Sequence, residues 1–280
     1  MSPANFAKSA QRCSPILRWA GSKRARANYL AEYWQPQFKR YIEPFCGSAA
    51  LFFEISPAQA VLGDINRELI SFYKTVKSHP IDVYRKFSKL PRNPQVYYRL
   101  RRQFQEISDK TTRSAIFYYL NKNCFNGLYR TNKHGVFNVP YSDSRVGRYP
   151  SEDEFLNSCE KLSQAKFRCG DFADIVESTV AAGDFVYLDP PYASSGRRPF
   201  REYHPHSFSI QDIARLEQLL IYIDKCEAKF VLSFGASSAI RAIAERWHRK
   251  SYRVRRNISG FSDSRRMATE QIITNLEKIT

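Results

Sequence analysis

Short apolar runs that end at glycine, aspartate or proline corners constrain the fold of this chain most strongly. Three of them, at 41–45, 60–62 and 184–188, have the length and apolar content of buried strands. Helical stretches separate them, and this alternation predicts an α/β fold with a largely parallel sheet covered by helices on both faces. Ligands in such sheets bind at the carboxyl ends of the strands. The corners at those ends are Gly47, Gly63-Asp64 and Asp189-Pro190-Pro191.

The rest of the pattern is consistent with such a sheet. Asn66 is predicted to cap a helix over 66–77, in which the apolar side chains form one stripe. The strand at 184–188 must stop at its corner, because proline cannot sit in a central strand. The remaining helices are predicted at 50–55, 210–223 and 238–247, and the remaining strands at 229–234 and 271–275.

The stretch from about 84 to 148 breaks this alternation. It is predicted to contain helices over 95–107 and 112–121, followed by a Gly- and Asn-rich loop that we expect to be β-rich. From 85 to 148 the chain has fourteen Lys or Arg residues against three Asp or Glu residues, a net charge of +11 out of +17 for the whole chain. Such a basic face indicates a polyanion partner, most commonly nucleic acid. Two aromatic residues of the loop, Phe125 and Tyr129, are the candidates for contacting bases.

Composition argues against several other classes of protein. The hydrophobic content of 43% supports a packed core, and no run of 18 apolar residues is present that could span a membrane. None of the six cysteines has a partner at Cys-x-x-Cys spacing, so we expect no metal site and reduced thiols. The cysteines are not preceded by an apolar leader, and we therefore expect a cytoplasmic protein.

The corner at 189–192 has the clearest chemistry. Its two prolines hold the turn rigid and extended, so that a carboxylate, backbone carbonyls and an aromatic face are presented in fixed positions. The exocyclic amino group of a base is a poor nucleophile, because its lone pair is delocalised into the ring. Hydrogen bonds from that group to Asp189 and to the Pro190 carbonyl would favour a pyramidal nitrogen, and Tyr192 could stack on a base swung out of the duplex. These three residues are the candidate catalytic residues, although a Pro-rich loop with an incidental aspartate would carry the same tetrapeptide.

Two weaker features precede this corner. Gly47 would let the backbone approach a ligand closely, and Asp64 could accept hydrogen bonds from ribose hydroxyls. Many α/β proteins have such a glycine, so this pair alone does not identify a nucleotide site. Trp19 and Lys23 flank a turn at Gly21 and are candidates for clamping a ligand, although single Trp and Lys residues are usually core and surface residues respectively.

Six motifs occur in a characteristic order. They are PILRWAGSK at 15–23, EPFCGS at 43–48, GDIN at 63–66, NCFNGLYR at 123–130, GVFNVP at 135–140 and DPPY at 189–192. In this order the chain resembles the Dam-type adenine DNA methyltransferases of the alpha group. The matches extend over nearly the whole chain, and together they are highly specific.

The resemblance implies a Rossmann-like methyltransferase sheet, S-adenosylmethionine as the methyl donor and no metal. It implies methyl transfer to N6 of adenine in a short double-stranded DNA motif after base flipping, with GATC suggested by analogy. The implied cofactor-binding residues are Trp19, Lys23, Phe45, Gly47, Asp64 and Asp189. The implied DNA-binding residues are Arg18, Phe125, Asn126 and Arg130, of which Arg130 is the candidate for contacting a guanine edge.

The same resemblance predicts the organisation and the partners of the chain. Residues 1–80 and 165–280 would form the catalytic domain that binds S-adenosylmethionine. Residues 81–164 would form an inserted, mainly helical domain that recognises the DNA target. We expect a monomer, and a restriction endonuclease that acts on the same site is a candidate partner.

Three positions depart from the family pattern. Ala49 stands where the family often has a second glycine, and Ser22 replaces the middle glycine of a Gly-Gly-Lys turn. Each adds one small side chain near the cofactor, which we expect the fold to tolerate. Arg18 stands where the GATC enzymes usually have lysine, and this leaves the target motif open.

Three other functions are less favoured by the sequence. Methylation of the cytosine amino group needs the same hydrogen bonding, but such enzymes more often have serine in place of Asp189. A catalytically silent DNA-binding protein is the alternative from another class, and the intact Asp189 and Tyr192 argue against it. RNA is less favoured as a substrate because the recognition motif matches that of DNA enzymes.

Overall fold

Within the described residues, seven strands form one mixed sheet. The computed structural model describes residues 13–143, 146–191, 208–235, 243–255 and 267–277. The strands are β1 (Tyr41–Glu43), β2 (Ala60–Asp64), β3 (Ala165–Cys169), β4 (Phe185–Leu188), β5 (Lys229–Gly235), β6 (His248–Arg255) and β7 (Met267–Thr274).

The sheet runs in the order β3-β2-β1-β4-β5-β7-β6. β1 pairs in parallel with β2 on one side and with β4 on the other. β3 and β5 extend the parallel part outward, whereas β7 is antiparallel to both β5 and β6. Chain order reverses between β1 and β4, and such a switch point is where open α/β sheets bind ligands. The predicted α/β methyltransferase sheet is therefore confirmed.

Helices cover both faces of this sheet. The helices of the described residues are α1 (Ala27–Ala31), α2 (Ala50–Ile55), α3 (Arg67–Ser78), α4 (Pro80–Ser88), α5 (Pro94–Gln103), α6 (Lys110–Asn123), α7 (Glu152–Lys161), α8 (Phe172–Glu177) and α9 (Ile210–Lys225). Among them α3 packs on one face of the sheet, and α8 and α9 pack on the other. Successive side chains of β4 alternate between two apolar clusters, because strand residues point to opposite faces. Phe185 and Tyr187 join the larger cluster, while Val186 and Leu188 pack with α8 and α9.

Local signals account for several of these elements. Asn66 caps α3 as predicted, since its side-chain oxygen accepts a hydrogen bond of 3.1 Å from the Leu69 amide. α7 begins with a capping box in which Ser151 and Glu154 bond to each other's backbone amides. Both arrangements satisfy amide groups at the start of a helix that have no partner within the helix.

The structure also corrects several predictions. β3 and α8 were not predicted, and β1 ends at Glu43 rather than at residue 45. The last strand begins at Met267 and forms a hairpin with β6, another unpredicted strand. The helix expected over 238–247 falls partly outside the described residues, since 238–242 are not among them, and its described remainder holds the short 3₁₀ turn Ala244–Arg246. β3 and β6 escaped prediction because edge strands carry polar side chains that break the apolar pattern.

The region between α3 and β3 packs directly on the sheet domain. α4 and α6 lie against α3, and their aromatic rings continue the larger apolar cluster. The ring of Phe72 on α3 is stacked on Tyr118 of α6, with centroids 6.1 Å apart. The loop after α6 was expected to be β-rich, but its described residues form only the isolated bridges Cys124–Tyr141 and Thr131–Phe137. Glycine and asparagine in that loop favour tight turns over a continuous ladder.

Candidate active site

The Asp64 side chain ties the loop after β1 to the end of β2 by accepting hydrogen bonds from backbone amides. The Gly47 amide donates to Asp64 Oδ2 over 3.1 Å, and the Asn66 amide donates to Asp64 Oδ1 over 2.9 Å. The Tyr73 hydroxyl of α3 donates to the Gly47 carbonyl over 2.9 Å. Gly47 has a φ of +46°, a left-handed conformation that favours glycine. The first two corners predicted from the sequence are therefore parts of one rigid structure.

Trp19 lies directly on this loop. A Cβ added to Gly47 would lie 2.7 Å from Trp19 Cδ1, so that only glycine lets the indole approach this closely. On its other side Trp19 is stacked on Tyr129, with centroids 5.7 Å apart and planes 18° from parallel. The hydroxyl oxygens of Ser22 and Ser48 lie 2.7 Å apart and join the two loops. The serine that departs from the family pattern thus forms a bond that glycine would not.

Asp64 is a carboxylate with unusual proton affinity. Burial raises its pKa to about 6, although hydrogen bonds from the Asn66 and Gly47 amides oppose this rise. The side chain is therefore ionised at neutral pH and is a strong acceptor for hydroxyl groups of a ligand.

Asp189 follows β4 at the switch point and forms an ion pair with Lys23. The Lys23 Nζ lies 2.9 Å from Asp189 Oδ1, and the side chains are 9% and 18% exposed. Burial raises the pKa of Asp189 to about 6, while Lys23 lowers it and Glu270 raises it further. Pro190 is buried beside the carboxylate, as expected for a rigid corner. Tyr192 lies outside the described residues.

Two further acidic residues of the site were not predicted. Glu43, at the end of β1, is buried and accepts a hydrogen bond of 3.0 Å from the Tyr41 hydroxyl. Its pKa is well above its ordinary value because of burial, and the charges of Asp189 and Asp64 raise it further. Glu270 on β7 lies 3.7 Å from Lys23 Nζ. The position of Glu43 directly before the Pro44-Phe45 corner was a signal available in the sequence, whereas Glu270 offered none.

Phe45 packs against the smaller apolar cluster. Its ring is stacked on Phe172 of α8 with centroids 5.1 Å apart, and it meets Phe208 edge-on at 6.2 Å. Five predicted residues are connected to one another by the contacts above or lie on adjoining corners. These are Trp19, Lys23, Gly47, Asp64 and Asp189.

The predicted DNA-binding residues lie on two segments near Trp19. Arg18 precedes it, before the short 3₁₀ turn Lys23–Arg26, and Phe125, Asn126 and Arg130 lie on the loop after α6. The backbone of Arg18 is bonded to the amide side chain of Asn121 in both directions, at 2.9 and 2.7 Å. Phe125 is 40% exposed, and Asn126 beside it has a φ of +52°. Arg130 Nε donates to Asn138 Oδ1 over 2.8 Å, which orients its guanidinium group.

Tyr129, the other aromatic candidate of this loop, is half-buried among aromatic rings. In addition to its stack on Trp19, its ring contacts Phe117 and Phe137 with centroids 5.8 and 5.5 Å away. This aromatic residue therefore links the cofactor-side tryptophan to the loop that carries Arg130.

A basic cavity of about 390 Å³ lies beside Arg18. Burial and the neighbouring cations lower the pKa of Lys122 to about 8. The positively charged side chains that line the cavity are Arg18, Arg24, Lys122 and Arg148, and Glu154 is the acidic residue among the lining residues.

A comparison with protein families matches residues 19–258 to the D12 class of N6 adenine-specific DNA methyltransferases. This chain belongs to that family. The match spans the Trp19 segment, both corners at the switch point and the region between α3 and β3. The family assignment made from the sequence motifs is thereby confirmed.

Curated relatives agree with the family. The type II methyltransferase M.MjaIII of Methanocaldococcus jannaschii is 34% identical over 78% of this chain and 83% of that protein. The type II methyltransferase M1.LlaDCHI of Lactococcus lactis subsp. cremoris is 31% identical, covering 93% of this chain and 95% of that one. The DNA adenine methylase of Escherichia coli K12 is 31% identical, covering 91% and 92%.

Two kinds of feature are absent from the described residues. None of the helices in this part of the chain is long and apolar enough to cross a membrane. The same residues hold no group of three or more His, Cys, Asp or Glu side chains arranged to bind a metal ion.

Proposed function

We propose that this protein transfers the methyl group of S-adenosylmethionine to the N6 amino group of adenine in a short double-stranded DNA motif. The observation that carries the proposal is the mostly buried Asp189 carboxylate directly after β4, held by Lys23 and adjacent to the corner formed by Gly47 and Asp64. The family to which the chain belongs transfers methyl groups to this atom of adenine.

The residues at the first corner fit the methyl donor. Gly47 lets the Trp19 indole lie directly on the loop, Trp19 provides an aromatic face, and Asp64 provides a half-buried acceptor for ribose hydroxyls. S-adenosylmethionine carries a positive sulfonium and an ammonium group, which suit a site with several carboxylates. When bound, it would supply an activated methyl group. Lys23 would hold the carboxylate of Asp189 in place beside it.

The chemistry at the second corner follows from the state of Asp189. The ionised carboxylate is the stronger acceptor for a hydrogen bond from the adenine amino group. Since burial raises its pKa to about 6, the ionised form dominates at neutral pH while the carboxylate remains a strong acceptor. Asp189 and the Pro190 carbonyl would together draw the two N–H groups toward them and direct the nitrogen lone pair at the methyl group. We assign to Tyr192 the stacking role that its motif implies.

The region 81–164 is proposed to be the DNA-recognition domain, with 1–80 and 165–280 as the catalytic domain. Its surplus of basic residues supports binding of the phosphate backbone. Phe125 and Asn126 lie at the start of the loop after α6, and Asn138 orients Arg130 within that loop, which supports a role of these side chains in contacting DNA. If this face binds DNA through its charge, affinity should fall steeply between low and high salt. A flat salt profile would contradict the proposal.

Single-molecule sequencing of DNA from a host that lacks methyltransferases tests the whole proposal. Cells that express the protein should acquire N6-methyladenine at one short motif, and GATC is the first to examine. Asp189→Ala should abolish the modification, whereas Asp153→Asn, an exposed substitution on α7, should leave it unchanged. Modified cytosine, or unmodified DNA despite binding of S-adenosylmethionine, would refute the proposed acceptor.

The same cells can test the proposed partner. Two of the relatives are named type II methyltransferases. We therefore propose that the methylated motif is also the target of a restriction endonuclease. DNA from expressing cells should resist an endonuclease that cleaves this motif, and DNA from Asp189→Ala cells should be cut.

A further inference from the structure

Glu270 is a buried carboxylate on β7 that faces Lys23. Asp189, the other carboxylate beside Lys23, follows β4. Glu270 pairs with Gly235 at the end of β5, and β5 in turn adjoins β4. Only 6% of Glu270 is exposed. Its Oε1 lies 3.7 Å from Lys23 Nζ, while Asp189 Oδ1 lies 2.9 Å from the same nitrogen. Because Asp189 Oδ1 and Glu270 Oε1 both lie near Lys23 Nζ, these two oxygens are at most about 6.6 Å apart.

Tyr252 fixes the orientation of this second carboxylate. Its hydroxyl donates to Glu270 Oε2 over 2.8 Å, so that one oxygen faces the tyrosine and the other faces Lys23. Tyr252 on β6 is directly opposite Glu270 in the strand pairing. The tyrosine ring meets Tyr29 edge-on, with centroids 5.8 Å apart. Glu270 is thus held in place from a part of the sheet that is remote from the Asp-Pro-Pro corner.

The ammonium of Lys23 is therefore shared between two carboxylates. A carboxylate that had the ammonium to itself would have its negative charge more fully neutralised and would be a weaker hydrogen-bond acceptor. The acceptor strength of Asp189 matters because the adenine amino group must donate to it. This step rests on the proposed function of Asp189.

We propose that Glu270 is a positioning residue for methyl transfer, which acts by drawing part of the Lys23 charge away from Asp189. Tyr252 limits the strength of this effect, because its hydroxyl donates a hydrogen bond to the Glu270 carboxylate and so takes up part of its negative charge. Neither residue needs to touch the substrate. Their effect reaches the reacting atoms through Lys23 and Asp189.

The electrostatics of the site agree with this arrangement. The pKa of Asp189 is raised first by burial, is lowered by Lys23 and is raised again by Glu270. Removing the charge of Glu270 should therefore lower the pKa of Asp189. Among the described residues, the titratable groups that face Asp189 are Lys23 from the turn Lys23–Arg26, Glu43 from β1, Tyr187 from β4, and Glu270 with its partner Tyr252 from the outer hairpin.

The test measures the Asp189 pKa directly by NMR in protein labelled with ¹³C at aspartate carboxyl groups, with Asp189→Asn to identify the signal. Glu270→Gln should lower that pKa by about one unit, as expected for a like charge at this separation. The single-turnover methylation rate should fall in the same variant. Glu270→Asp retains the charge and should restore both values most of the way. Glu177→Gln removes a charge at an exposed position on α8 and should change neither.

Tyr252→Phe gives a second test with the opposite sign. Without the tyrosine hydroxyl, Glu270 would compete more strongly for Lys23, and the pKa of Asp189 should rise. This variant also keeps the proposal testable where Glu270→Gln does not fold. An unchanged Asp189 pKa in both variants, or a loss of rate in Glu270→Gln with an unchanged pKa, would overturn the proposal. If the two variants show these pKa shifts but the wild-type protein does not methylate DNA, the sharing of charge is supported and the proposed function is contradicted.

Discussion

Replacing Gly47 with alanine should damage both the fold and the cofactor site. The residue has a φ of +46°, and an added Cβ would lie 2.7 Å from Trp19 Cδ1. The left-handed backbone costs a non-glycine residue about 1–2 kcal/mol. Relieving the contact requires the indole or the loop to move, and overpacking of this kind costs about 1–3 kcal/mol. Gly47→Ala should therefore lower the free energy of unfolding by about 2–5 kcal/mol.

Gly135 provides a matched control for this substitution. It also has a positive φ, +75°, but nothing lies within 4 Å of the position that its Cβ would occupy. Gly135→Ala should carry only the backbone cost of about 1–2 kcal/mol. The difference in stability between the two variants therefore isolates the contact with Trp19.

Urea unfolding followed by circular dichroism would give the two stabilities, and titration calorimetry would give the affinity for S-adenosylmethionine. We expect Gly47→Ala to lose roughly tenfold or more in affinity, equivalent to about 1.4 kcal/mol, because Trp19 is displaced. Gly135→Ala should bind as the wild type does. Equal destabilisation of the two variants, together with unchanged cofactor affinity in Gly47→Ala, would refute the steric argument.

Three further predictions concern other parts of the molecule. When the pH is lowered from about 8 to about 5, S-adenosylmethionine should bind more weakly, because Asp64, whose pKa burial raises to about 6, becomes protonated. The same proton should stabilise the unliganded fold, because the folded form holds it more tightly than the unfolded chain does. Calorimetry at each pH measures the change in affinity, and thermal melting at each pH measures the change in stability. Arg113→Met should lower the free energy of unfolding by about 1–3 kcal/mol, because it leaves the mostly buried Glu68 carboxylate without the two hydrogen bonds that Arg113 donates. Arg148→Met is the control: it removes an exposed ion pair, so its melting temperature should equal that of the wild type. Arg130→Ala should reduce discrimination between cognate and scrambled duplexes by about 1–3 kcal/mol in binding assays, and equal weakening of both would identify a phosphate contact instead.

Local sequence patterns determined much of the fold and most of the central site residues. The apolar run at 184–188 and its proline corner predicted where β4 ends, and Asn66 predicted where α3 begins. These signals are readable because they depend on side-chain periodicity and on hydrogen bonds between near neighbours. The motifs containing Gly47, Asp64 and Asp189 identified the corners that the sheet then brings to one edge.

Other features were decided only by tertiary structure. Glu270 lies about 80 residues after Asp189 in the chain, and it reaches Lys23 only because β7 pairs antiparallel with β5. Tyr129 is suited by composition to contact bases, but the packing of the loop places it against Trp19. β6 has the polar composition of a loop and becomes a strand because β7 offers it an edge. Strand pairing and burial depend on residues that are distant in sequence, so local propensity cannot predict which side chains they bring together.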